Sequence, residues 1–237
     1  MNRAEKATLQ LQAVQVLRVL KRNRTYEELA AELGLPPGDL NRYVNGHVLP
    51  GIERAQAVIA EGGESLVRSE LEARIRRDEE GYVDTTRAVF DPGFLSMVAG
   101  TAAGLHEFGD PDVVLTAATD GITLAAAFAE YFDARAAYAK GNRETAVDEF
   151  FEARERLASG VELTYYLPAS AIGPADSVLV VDDLIRTGET QGLLVDLATE
   201  AGSDVTGVFT LVAAGTEGLE RARERVDGPV AALSTIG

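Results

Sequence analysis

The sequence predicts an α/β chain: a parallel-type sheet with covering helices, preceded by a small all-helical domain. Three observations lead there. Val178-Leu179-Val180-Val181 is an aliphatic run without alternation, the pattern of a strand buried on both faces of a parallel sheet. From about residue 93 onward, strand-length apolar runs alternate with helical patterns, as in βα units. Residues 1–60, in contrast, read as four short helices. The expected division is a helical domain over 1–62, a connecting helix over 63–81 and the α/β domain over 82–237.

In the first domain, Ala4 to Arg22 place Leu9, Ala13, Val16, Leu17 and Leu20 at helical spacing, which predicts an amphipathic helix. Asn23-Arg24 interrupt it. Thr25 and Glu28 then have the capping-box spacing for a second helix, Tyr26 to Leu33. Gly34 follows Ala30 by four residues and suits a left-handed helix-to-helix turn. Pro36-Pro37 open a third helix, from about Gly38 to Asn45. Leu40 and Val44 would face the core, leaving Asp39, Asn41, Arg42 and Asn45 outside. Asn45-Gly46 end this helix, and Gly51 to Ala60 read as a fourth.

The Ala-x-x-x-Gly turn, the short polar third helix and its Asn-Gly end resemble the helix-turn-helix DNA-binding domains of repressor type, over roughly residues 10–60. The resemblance implies that the third helix reads double-stranded DNA. Asn41, Arg42 and Asn45, with His47 just beyond, would meet base edges, since Asn and Arg side chains have the bidentate geometry for adenine and guanine. Arg22 and Arg24, ahead of the second helix, would meet backbone phosphates. The competing reading of such a bundle is a packing or dimerisation cap.

Charge favours DNA. The net charge is −16, but residues 1–60 hold eight Lys/Arg against six Asp/Glu, and the remainder fourteen against thirty-two. Lysine occurs only at Lys6, Lys21 and Lys140. An acidic, lysine-poor surface resembles that of proteins from salt-in halophiles, whose self-repulsion is screened at high salt. The absence of cysteine excludes disulfides and thiolate metal sites. No apolar run reaches membrane length and no leader pattern opens the chain, so a soluble, cytoplasmic protein without a membrane partner is expected.

Glu61-Gly62-Gly63 mark the junction, and Leu66 to Glu80 read as a charged connecting helix. Gly93 to Phe108 follow as a small-residue helix carrying His106, read as a partly buried packing residue. A strand over Asp112–Leu115, a loop over Thr116–Gly121 and a helix over Ile122–Phe132 come next. Ala134 to Ala139 form a strand that ends at Lys140. Residues 141–160 are polar and acidic and read as helical, and Val161 to Pro168 return as a strand. After the aliphatic run, a strand over Asp204–Ala213, a helix over Thr216–Arg225 and a strand over Pro229–Ile236 complete the series.

The aliphatic strand leads into Asp182-Asp183-Leu184-Ile185-Arg186-Thr187-Gly188-Glu189-Thr190, with Gln191 to Ala201 as the next helix. Ligands of open α/β sheets bind at the carboxyl ends of strands. Here a loop can aim backbone N–H groups, two threonine hydroxyls and a helix N-terminus at one phosphate. The two carboxylates can accept hydrogen bonds from a diol or hold a metal. A phosphate cradle beside a diol acceptor describes a ribose 5-phosphate site.

This segment resembles the phosphoribosyl-pyrophosphate (PRPP) motif of the type I phosphoribosyltransferases. The resemblance implies that Asp182 and Asp183 hold the ribose hydroxyls and that Arg186, Thr187, Gly188, Glu189 and Thr190 hold the 5-phosphate. It also makes Ala117, Ala118, Thr119, Asp120 and Gly121 the pyrophosphate loop, with Lys140 beside it and residues 141–160 as a hood. Two positions depart from the pattern: Arg186 replaces a small residue, and Glu189 brings a negative charge to the phosphate loop. Residues 116–121 also lack a Lys or Arg to neutralise a leaving pyrophosphate, and only Lys140 and Arg143 stand near. No catalytic residue and no metal ligand is therefore assigned, and Mg²⁺ is expected only together with bound PRPP.

The order of domains resembles regulators of the purine-repressor type and, more closely, archaeal orotate-phosphoribosyltransferase-like regulators of sugar catabolism. With the acidic surface, the haloarchaeal glucose/fructose-catabolism regulators are the nearest resemblance. The expected function is a DNA-binding, dimeric transcription regulator sensing PRPP or another sugar phosphate. The alternative is an active phosphoribosyltransferase for orotate or a purine base with an accessory helical domain.

Overall fold

Helical spacing in the first sixty residues is met in full. In the computed structural model, which describes residues 1–61, 63–156 and 160–237, this part forms α1 (Arg3–Lys21), α2 (Tyr26–Leu33), α3 (Pro37–Val44) and α4 (Ile52–Glu61). The capping box at Thr25 and Glu28 is present, and Gly34 closes α2 at φ 64°. Leu40 and Tyr43 are the buried residues of α3, with Val44 only half-buried. Arg54 fixes that helix by donating to the Tyr43 hydroxyl and to Asp39, each at 2.7 Å. Asp39 is thus half-buried and paired, not free on the outer face.

Beyond Gly62, which lies outside the described residues, the connector differs from the expected long helix. Only α5 (Glu64–Glu72) is helical, and its Val67 and Leu71 are fully buried. Two short strands follow, β1 (Arg76–Arg77) and β2 (Val83–Asp84), paired antiparallel. The turn between them is stabilised by Asp78, whose carboxylate accepts the N–H groups of Glu80 and Tyr82, and by Gly81 at φ 85°. Such Asp-Gly turn chemistry outweighs helical spacing over a short polar stretch.

A short α6 (Thr86–Val89) leads to α7 (Pro92–Leu105). His106 lies just past this helix in an extended conformation, and partial burial holds its imidazole below its ordinary pKa. The α/β units are β3 (Val113–Ala117), α8 (Gly121–Phe132) and β4 (Arg135–Ala139). The hood region brings a second correction. Instead of a helix, residues 150–156 form β5 (Phe150–Arg156), paired antiparallel with β6 (Glu162–Pro168). Residues 157–159 of the expected hood helix lie outside the described residues. Cross-strand pairing decides here: Phe150 meets Tyr166 edge-on, and Ala153 is buried opposite Tyr165. Burial in a pair of strands overrides a helix-compatible charge pattern.

The chain ends with β7 (Ser177–Ile185), α9 (Glu189–Glu200), β8 (Asp204–Ala214), α10 (Glu217–Arg223) and β9 (Val230–Ile236). The central sheet has the order β4-β3-β7-β8-β9 and is parallel throughout. Val178 to Val181 are fully buried, each contributing about 1.5–3 kcal/mol of hydrophobic stabilisation. Val178 and Val180 face a core shared with Leu193, Leu194 and Leu197 of α9. Leu179 and Val181 face the other way, into a core that also contains α7, α8 and the N-terminal helices. α1 packs along α7, with Val19 closing on Gly93. Among the described residues no helix is long and apolar enough to cross a membrane.

Candidate functional site

The acidic pair lies within β7, not at its end, because the strand runs on to Ile185. Asp182 points inward and is only 7 % exposed. One carboxylate oxygen accepts the amide of Gln191 at 2.7 Å and the other accepts the Asp183 backbone N–H at 3.0 Å. α8 begins directly against it: a Cβ on Gly121 would lie 2.9 Å from an Asp182 oxygen and still closer to the Thr116 hydroxyl. Glycine is required there by this approach. The two carboxylates, which the sequence placed side by side in one role, therefore stand in different surroundings. Asp182 braces β7 against α8 and α9, whereas half-buried Asp183 is the one presented.

Asp183 accepts a hydrogen bond from the Thr85 hydroxyl, at the corner between β2 and α6. Burial pushes its carboxyl above the usual aspartate range, and the charge of Asp120 adds to that effect. Burial likewise raises Asp182 well above its ordinary value, with the neighbouring Asp183 charge second. Two buried acids of this kind favour a cation or hydroxyl donors beside them. Among the described residues no group of three or more His, Asp or Glu is disposed to hold a metal. Two carboxylates suit Mg²⁺ only when a ligand's own oxygens complete the shell.

The loop Arg186-Thr187-Gly188-Glu189-Thr190 turns from β7 into α9, with Gly188 at φ 81° as the residue before the helix. The first N–H groups of α9 have no intrahelical partner and point back at the loop. Arg186 is exposed and lies over the Tyr82 ring, 4.8 Å from its centroid. Gln191 and Tyr165 complete the surroundings. The Tyr165 phenol is raised chiefly by burial, and both the Thr190 hydroxyl and the Asp182 charge act on it. Neither residue was picked from the sequence, because Gln191 read as an ordinary helix residue and Tyr165 belongs to a strand placed by topology alone.

The loop Ala117-Ala118-Thr119-Asp120-Gly121 lies beside this site, with Ala118 N–H bonded to Ala139 across to β4 and the Ala118–Thr119 peptide cis. Its expected cations are already engaged. Lys140 pairs with Glu144, which raises its pKa, and Arg143 binds Glu152 at 2.6 Å while lying over the Tyr166 ring.

In the N-terminal domain, Asn41, Arg42, Asn45 and His47 are exposed together at α3 and just beyond it. Asn45 donates to the Asn41 side chain at 2.6 Å, so the two amides act as one unit. Arg42 has no side-chain partner among the described residues. Arg22 is half-exposed and binds Asp91 of the α/β domain. Arg24 departs from its expected role. Its side chain is 14 % exposed and lies between Glu32 and Glu70, with Arg74 on the second Glu70 oxygen and on Asp91. It ties the two parts of the chain together and does not project as a surface cation.

Comparison with known proteins fits both halves. A helix-turn-helix family model matches residues 15–67. The purine biosynthesis transcriptional repressor PurR of Bacillus subtilis is 30 % identical over 137 residues, covering 56 % of this chain and 47 % of PurR. The chain thus spans about half the length of that relative. The hypoxanthine/guanine phosphoribosyltransferase of Methanopyrus kandleri is 31 % identical over 133 residues, 56 % of this chain and 68 % of that enzyme. Among solved structures, the adenine phosphoribosyltransferase of Rhodothermus marinus superposes with a TM-score of 0.62 at 22 % identity, over 73 % of this chain and 99 % of the other. That likeness gives the fold. Together with the identity shared across two thirds of the archaeal enzyme, it shows that the chain belongs to the phosphoribosyltransferase family, with a helix-turn-helix domain ahead of the sheet.

Proposed function

We propose that the protein is a DNA-binding transcription regulator whose phosphoribosyltransferase-type domain senses PRPP or another sugar phosphate. The observation that carries this reading is the coexistence of an exposed Asn41-Arg42-Asn45 face with an Asp182-Asp183 strand and Thr-Gly-Glu-Thr loop, beside which the cations expected at the pyrophosphate loop, Lys140 and Arg143, are paired with carboxylates. A transferase needs free positive charge where pyrophosphate leaves, whereas a sensor needs only to bind. Asp183 would accept the ribose hydroxyls, with Thr187, Thr190 and the first amides of α9 around the phosphate. Mg²⁺, held by the carboxylates and ligand oxygens, would neutralise the pyrophosphate. The resemblance to PurR, which is a purine biosynthesis repressor, supports the regulatory reading. The acidic, lysine-poor composition supports a halophilic host, and control of sugar catabolism is proposed on the resemblance of the domain order to archaeal regulators of that kind. Two copies would read two half-sites.

The test is a gel shift on DNA from upstream of the protein's own gene, with and without PRPP and Mg²⁺, beside an assay of pyrophosphate release with orotate and purine bases. PRPP-dependent DNA binding without turnover is expected. Turnover at ordinary enzyme rates would establish the transferase instead.

A further inference from the structure

The phosphate loop of this chain carries an acid, Glu189, at the first position of α9. A phosphate arriving there meets a carboxylate, which offsets the one cation of the loop itself, Arg186, whose guanidinium lies over the exposed Tyr82 ring; the two threonine hydroxyls and the helix dipole add only neutral or partial charge. A second cation, held against the loop, comes from α10. Gly188 and Gly218 lie face to face: a Cβ on Gly188 would be 2.9 Å from the Gly218 carbonyl oxygen, and one on Gly218 would be 2.7 Å from that of Arg186. The start of α10 is thereby pressed onto the loop. Arg221, three residues after Gly218, has its Cβ within 3.4 Å of that same Gly188 position. Its guanidinium reaches Glu189 at 3.8 Å and forms a closer ion pair with Glu155 of β5. Arg221 therefore stands between the loop and the hood hairpin.

Resting on the reading of this loop as a phosphate site, we propose that Arg221, outside the loop, is a cation of the phosphate subsite. Glu155 competes with the ligand for it. A guanidinium presents five donors in one plane, so a phosphate can take the edge that Glu155 occupies while Glu189 stays neutralised on the other. Binding then exchanges a carboxylate for a phosphate and frees the hood hairpin from α10. The two partners of one ion pair must therefore act on affinity in opposite directions.

The experiment measures binding of PRPP, ribose 5-phosphate and inorganic phosphate by calorimetry in the full-length protein and its variants. Arg221→Gln is expected to weaken all three ligands about tenfold, the scale of one charge-assisted hydrogen bond. Glu155→Gln is expected to tighten them several-fold, and the double variant to match Arg221→Gln. Arg221→Lys keeps the charge without the fork and falls between, which serves if Arg221→Gln does not fold. Unchanged affinity in both Arg221 variants, or weaker binding in Glu155→Gln, overturns the proposal while leaving the phosphate site intact. Failure of the wild-type protein to bind any of the three removes the underlying site as well.

Discussion

The Thr85 hydroxyl donates to the Asp183 carboxylate across 98 positions of sequence. Thr85 belongs to the corner that follows the β1–β2 hairpin, and α5 ahead of that hairpin carries Glu70, the partner of Arg24. Ribose hydroxyls seeking Asp183 must compete with Thr85. Thr85→Val is therefore expected to lower the stability of the ligand-free protein by about 1 kcal/mol, the net value of a hydrogen bond, and to tighten PRPP binding. Thermal unfolding and calorimetry on the same preparation check both halves; weaker binding would show that Thr85 helps the ligand.

Asp183→Asn keeps the volume and removes the charge that favours a diol and an ion. PRPP affinity is expected to fall by about 1–3 kcal/mol, as for hydrogen bonds to charged groups. Inorganic phosphate, which has no hydroxyls to lose, is expected to bind as before. Titration of the two ligands separates the outcomes.

The carboxyls of Asp182 and Asp183 are both raised, chiefly by burial. The folded, ligand-free protein thus retains protons that the unfolded chain releases above a pKa of about 4. Stability should fall as pH rises from there through the raised folded values, and level off above them. Asp182→Asn removes the larger share of this slope, since Gln191 can turn its amide to match. Melting temperatures from pH 4 to 8 test it; a slope unchanged in the variant would show that Asp182 is not its source.

Two arginines that looked alike in sequence should now behave differently. Arg42→Ala is expected to cost about 1–3 kcal/mol on matched DNA only. Arg24→Ala removes one of two cations from buried Glu70 and is expected to destabilise the protein by about 1–3 kcal/mol, whether or not DNA is present. Unfolding curves and binding to matched and scrambled operators distinguish them. Equal loss on both DNAs in Arg42→Ala would remove α3 as the reading helix.

A second copy is expected on DNA, because one reading helix spans few base pairs and paired half-sites lie about one helical turn apart. Sedimentation at working salt and footprinting on the operator check this; a monomer protecting one half-site would contradict it.

Local signals carried most of the fold. The capping box, the Gly34 turn and the uninterrupted Val178–Val181 run are decided by neighbours a few residues away, and each folds as its pattern predicts. The β5–β6 pair was not legible, because residues 150–156 become a strand only through partners across the hairpin. In the candidate site, the motif placed Asp183 beside the loop at the end of β7, as the structure has them, but not that Asp182 turns inward. That orientation depends on Gln191 and on the approach of Gly121. Arg24 shows the limit most plainly: its charge suggested a surface contact, and Glu70, forty-six positions away, claims it.

Val14 and Val19 of α1 are buried along with Ala13, Val16, Leu17 and Leu20 of its expected apolar face, and Val19 lies against Gly93 of α7. The helix that supports the exposed Asn41-Arg42-Asn45 face is therefore also a wall of the sheet's own core. Severed after residue 61, the first segment would lose one side of its support, so the two parts should melt in one cooperative transition. In the proposed dimeric regulator, an effector bound at the sheet would act by turning whole subunits against each other, changing the distance between their two third helices.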